Sequence, residues 1–83
     1  MQSTKKEKNR VPVSIFDQEY TVRSHEKEEY IIKLASFLDE RMREIKRKSP
    51  VLSPYKIAVL TALNLADELF KIKAEYEGLI DII

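Results

Sequence analysis

The sequence predicts an α+β fold in which an N-terminal β-hairpin and an amphipathic helix form a small head, followed by one long C-terminal helix that dimerises as a coiled coil. Three observations lead there. Val11, Val13 and Ile15 alternate with Pro12 and Ser14, the period of a half-buried strand, and Tyr20 and Val22 repeat the alternation. Ile31, Leu34, Ala35, Leu38, Met42 and Ile45 then recur at helical spacing on one face. From Tyr55 the heptad positions read Tyr55, Ala58, Ala62, Leu65, Leu69, Ile72, Tyr76, Leu79 and Ile83, all apolar or aromatic. One glycine and three prolines in 83 residues agree with long helices rather than a turn-rich β fold.

Residues 1–10 carry Lys5, Lys6, Lys8 and Arg10 against Glu7 and little apolar content, so they read as a flexible basic tail. Two readings of it stand, a solubilising tail or a tether for an acidic surface. The hairpin follows, its strands joined through Phe16-Asp17-Gln18-Glu19. Pro12 cannot donate to a ladder, which puts the first strand at a sheet edge. Two strands alone are barely stable in water, so a helix must cover one face.

Ser24 is the expected cap of the first helix, with Glu26, Glu28 and Glu29 near its positive end. Lys46-Arg47-Lys48 complement the negative end, and Ser49-Pro50 stops it. Ser53-Pro54 is a helix start, a hydroxyl cap before a residue pre-set for the first helical position.

The long helix is apolar nearly all round in its first half. A second stripe, Val59, Leu63, Ala66 and Phe70, runs beside the seam and ends at Phe70. The first half is therefore expected to pack against both the first helix and a partner, and the second half against the partner alone. This divides the chain into a tail (1–10), a head (11–68) and a coiled-coil end (69–83). In a parallel dimer Glu68 and Lys73 would flank the seam and face each other. Gly78 costs about 1 kcal/mol in mid-helix relative to alanine and marks either close helix approach or fraying.

Composition points the same way. A single core in so short a chain is marginal without disulfides, metals or a partner subunit. Cysteine is absent and His25 stands alone, which leaves oligomerisation. Fifteen Lys and Arg balance fourteen Asp and Glu, without the basic excess of a nucleic-acid binder. No run approaches the roughly 20 apolar residues of a membrane span, and no hydrophobic signal core follows the basic N-terminus. The expectation is a cytoplasmic, soluble protein.

Catalytic chemistry finds no support. There is no glycine-rich phosphate loop, no nucleophile beside a base and no metal-ligand spacing. No cofactor is expected, and no enzyme. Asn64 interrupts the apolar block, where it either fixes register as a buried amide or hydrogen-bonds nearby backbone. Arg41, Arg43, Lys46, Arg47 and Lys48 form the densest charge patch, explained by capping and solvation or, with Arg41 and Arg43 widening it, by docking of an acidic protein.

The Val-x-Ile hairpin, the helix ending in Leu38-Asp39-Glu40-Arg41-Met42-Arg43-Glu44-Ile45 and the block Ala62-Leu63-Asn64-Leu65-Ala66-Asp67-Glu68-Leu69 together resemble the ZapA family of bacterial cell-division proteins. The likeness covers residues 11 to about 77 of the chain. It implies a non-enzymatic accessory at the division site that binds the tubulin-like GTPase FtsZ and cross-links or aligns its protofilaments as a homodimer or tetramer. By position it implies that Arg43, Lys46, Lys48, Tyr55 and Lys56 meet FtsZ. The dimer interface is then Ala58, Ala62, Leu65, Leu69, Ile72, Tyr76, Leu79 and Ile83. Asp17 stands where such hairpins usually have glycine, and the chain stops earlier along the coiled coil than longer relatives, which favours a dimer over a tetramer. The competing reading is a small nucleic-acid-binding dimer using the basic tail and the same patch. It lacks an aromatic platform or a helix-turn-helix arrangement.

Overall fold

A computed structural model describes residues 8–82, with side chains to residue 78. The elements are β1 (Asn9–Ile15), β2 (Gln18–Ser24), α1 (Glu28–Lys48) and α2 (Pro54–Ile82). The expected order of hairpin, amphipathic helix and long helix is the observed one. Residues 1–7 of the expected tail, and Ile83 at the end of the expected seam, lie outside the described residues. Asn9 and Arg10, read as tail, are the first two residues of β1.

β1 and β2 pair antiparallel from Asn9↔Ser24 to Ile15↔Gln18, joined by the two residues Phe16 and Asp17. Both have positive φ, 51° and 67°, the conformation that lets a two-residue turn follow the twist of its strands. Aspartate tolerates this backbone; a phenylalanine there is strained and must be held by its surroundings. The turn makes Ile15 and Gln18 a hydrogen-bonded pair, so Pro12 falls at a non-bonded position with its missing N–H directed at the free edge. The edge assignment of the first strand thus stands.

α1 lies under β1, and Val11, Val13, Ile31 and Ala35 form the core, with Ile15 and Val22 packed against it. Ser24 does not cap α1. β2 continues through Ser24, whose Oγ accepts from the Glu26 N–H, and Lys27 takes the cap position with no side-chain hydrogen bond. Extending the ladder to Ser24 postpones the helix, and only Glu28 and Glu29 remain in its first turn. The other end is as read: Lys46, Arg47 and Lys48 occupy the last turn, and the Ser49 N–H closes on the Ile45 carbonyl.

Ser53 caps α2, its Oγ accepting from the Lys56 N–H at 3.2 Å. Against α1, α2 turns Ile57, fully buried, and Thr61, 1% exposed. The stripe Val59, Leu63, Ala66 and Phe70 is exposed in the isolated chain and does not serve as the α1-facing surface. Those four positions lie roughly opposite Ile57 and Thr61 on the helix. The helix continues unbroken past Gly78, where an added Cβ would meet nothing within 4 Å. No helix among the described residues is long and apolar enough to cross a membrane.

Candidate functional site

The basic end of α1 is less free than its composition implies. Asp39, one helical turn before Arg43, accepts from the Phe16 backbone N–H at 2.6 Å and from Arg43 Nε at 2.9 Å. Arg43 also donates to Asp17 at 2.9 Å and lays its guanidinium over the Phe16 ring, 5.6 Å from the centroid. One arginine and one aspartate thus hold both positive-φ residues of the turn. The Arg43 hydrogen bond and then the Phe16 N–H keep the Asp39 carboxyl below its ordinary range, against a smaller opposing effect of burial. Arg43 is raised above the ordinary arginine value by Asp39 and then Asp17.

Arg41 is committed elsewhere. It grips Glu68 with both terminal nitrogens, Nη1 to Oε1 at 3.1 Å and Nη2 to Oε2, and stacks 5.4 Å from the Phe37 ring centroid. This clamp joins α1 to α2 across 27 residues of sequence. It lowers the Glu68 carboxyl and raises Arg41, the mutual hydrogen bonds being the main cause of each. Glu68, read as a coiled-coil flanking charge, spends its carboxylate inside its own chain. Arg47 pairs with Glu40 at 2.9 Å, and Lys46 donates to the Pro50 carbonyl at 2.8 Å.

Lys48 and Lys56 differ: among the described residues neither has an ion pair or a side-chain hydrogen bond, and both are exposed. They border the loop between the helices, from its two ends. Tyr55, 78% exposed, stands beside Lys56 in the first turn of α2. That turn contains no acidic residue, so the positive end of the helix is uncompensated there. Tyr55 and Pro54 also form one wall of an apolar groove of about 560 Å³, completed by Leu38 and Met42 of α1 and by Phe16, Tyr20 and Val22 of the hairpin.

Of the residues expected at the contact, Lys46, Lys48, Tyr55 and Lys56 thus gather around the helix-to-helix junction, and Arg43 faces the hairpin turn. Of the expected dimer seam, Ala58, Ala62, Leu69, Ile72 and Tyr76 are exposed in the single chain, and Leu65 is half-buried. Leu79 lies on the helix beyond the described side chains. Asn64 is exposed and lines a polar crevice with Arg41, Glu44 and Lys48, so it is not a buried amide within the chain. Asp39, Phe16 and Thr61 were not anticipated as structural residues. The Asp39–Arg43 spacing of four was the one sequence signal for the first. No group of three or more His, Cys, Asp or Glu able to hold a metal occurs among the described residues.

This hairpin, helix and long helix match the family profile of cell division protein ZapA over residues 11–83. The chain belongs to the ZapA family. It is 45% identical over 71 residues to cell division protein ZapA of Shouchella clausii, covering 86% of this chain and 91% of that one. With ZapA of Geobacillus thermodenitrificans it shares 43% over 76 residues, 92% of this chain and 84% of the relative. Among solved structures it is similar to a ZapA mutant dimer from Geobacillus stearothermophilus, with TM-score 0.71, 42% identity and coverage of 89% and 86%. It is also similar to an unknown conserved bacterial protein from Pseudomonas aeruginosa PAO1, with TM-score 0.70, 30% identity and coverage of 84% and 78%. ZapA proteins are non-enzymatic division accessories that bind FtsZ in the cytoplasm at the division site and self-associate, and the chain shares this function.

Proposed function

We propose that FtsZ is met at the junction of α1 and α2, by Lys46, Lys48, Tyr55 and Lys56 with Arg43 at the edge. The homodimer that presents two such junctions forms through Ala58, Ala62, Leu65, Leu69, Ile72 and Tyr76, continued by Leu79 and Ile83. The observation that carries this reading is the uneven use of the cations. Arg41, Arg43 and Arg47 are paired within the chain, whereas Lys48 and Lys56 have no partner among the described residues. An exposed tyrosine is a residue that interfaces favour, and unpaired cations beside it steer a partner of opposite charge. Arg43 contributes chiefly by holding the turn that walls the groove.

Two identical contacts on one body hold two filaments at a fixed spacing. Each contact can be modest, because the second forms at the effective concentration set by the first. The test is co-sedimentation and light scattering with FtsZ polymers. Lys48→Glu with Lys56→Glu is expected to weaken bundling, more at low salt than at high. Arg43→Glu is a poorer probe, because it also removes the partner of Asp39 and Asp17. Bundling unchanged in the double lysine variant excludes this junction as the contact.

A further inference from the structure

The register sets Arg10 directly opposite Arg23. Counting from the hydrogen-bonded pair at the turn, this is a non-bonded position, where paired Cα atoms approach to about 4.5 Å and both side chains leave the same face. That face is turned away from α1, since Val11, Val13 and Ile15 occupy the other. Both arginines are exposed, and neither meets a carboxylate among the described residues. Like charges directly across a strand pair are destabilising, and nothing within the described residues offsets this one. Lys8 adds a third cation at the same end. The acid on this face, Glu19, is four residues from Arg23, about 13 Å along the strand.

We propose that Arg10 and Arg23 form a second docking surface, for a carboxylate-bearing segment of another protein. Two adjacent guanidinium forks match planar carboxylates in bidentate geometry. A phosphate polymer fits less well. It needs several contacts to hold at physiological salt, and this face has no aromatic ring on which a base could stack. The surface lies at the open end of the hairpin, away from the turn that Arg43 grips, so it is separate from the Lys48 and Lys56 junction.

The experiment is an NMR titration of the intact, 15N-labelled chain with a glutamate-rich peptide, a glutamine-rich peptide of equal length, and a short DNA duplex. The expected result is amide shifts at Arg10, Val11, Thr21 and Arg23 with the glutamate peptide alone, with affinity reduced about fivefold by Arg23→Thr. The same substitution leaves the melting temperature equal or higher, because it relieves the repulsion. Hairpin shifts that are absent, that survive Arg23→Thr, or that are matched by the glutamine peptide overturn the proposal. Tighter binding of the duplex replaces it with a nucleic-acid surface, and a melting temperature lowered by Arg23→Thr assigns the pair a structural role instead.

Discussion

The backbone N–H of Phe16 donates to Asp39 Oδ1 across 2.6 Å, tying the tip of the hairpin to the middle of α1. The sheet has only two strands, and this bond fixes the one segment of it whose backbone is strained. Through Arg43 the same carboxylate also reaches Asp17.

Replacing Asp39 is therefore expected to cost more than its place on the surface implies. Asp39→Ala removes the acceptor of Phe16 and the main partner of Arg43; Asp39→Asn retains an acceptor but loses the charge. Urea midpoints should fall in the order wild type, Asp39→Asn, Asp39→Ala, with Asp17→Asn nearest the wild type. Midpoints for Asp39→Ala equal to the wild type would show that the turn holds itself.

The pH dependence follows from the direction of the shifts. Asp39 and Glu68 are both held below their ordinary values by arginine hydrogen bonds in the folded state. Their stabilisation is complete above the ordinary carboxylate range near pH 4 and is lost as pH falls through the lowered folded values. The melting temperature should drop below about pH 4. A Glu68→Gln, Asp39→Asn double variant should show a flatter acid limb.

Asp17→Gly weighs two small effects against each other. Glycine relieves a left-handed backbone, where an ordinary side chain costs about 1–2 kcal/mol and aspartate less. The lost ion pair to Arg43 is largely exposed and worth about 0.2–1 kcal/mol. A slight net rise in melting temperature is expected, read by calorimetry. A clear fall would rank the Arg43 contact above the turn.

At the contact of α1 and α2, size and polarity should separate. Ile57→Ala opens a cavity at a fully buried position and should cost about 2–5 kcal/mol in a denaturant titration. Thr61→Val keeps the shape and removes only a hydroxyl that donates to the Ile57 carbonyl one turn back, at 2.8 Å. It should change stability by no more than about 1 kcal/mol.

The seam is open to direct measurement. Ile72→Glu places a charge on an exposed heptad position far from α1, so the head should stay folded while sedimentation shifts toward monomer. Unchanged dimerisation in Ile72→Glu and Leu69→Glu alike would move the interface to the stripe of Val59, Leu63 and Phe70.

Local patterns were legible in the sequence, and partnerships between distant segments were not. Ser53-Pro54 carried the start of α2 in two adjacent residues, and alternation around Val13 carried the strands. Ser24 misled because it has the chemistry of a cap, yet it is the last rung opposite Asn9. Arg41 and Glu68 lie 27 residues apart, and Arg43 and Asp17 lie 26 apart. No periodicity signals such pairs. A run of cations therefore read as one patch, although its arginines were already taken. Thr61 does not stand out within a block that is apolar nearly all round, because a threonine that satisfies itself on its own helix packs as an apolar residue would.

Pro12 has a consequence for how many chains can join through their sheets. On β1 the outward row of donors is broken at its middle, so an added strand finds a gap there. On β2 the row is whole. Sheet growth is thus one-sided, and two heads that met edge to edge would use up the open edge of each and stop. The proline thus limits any such joint sheet to four strands, two from each head.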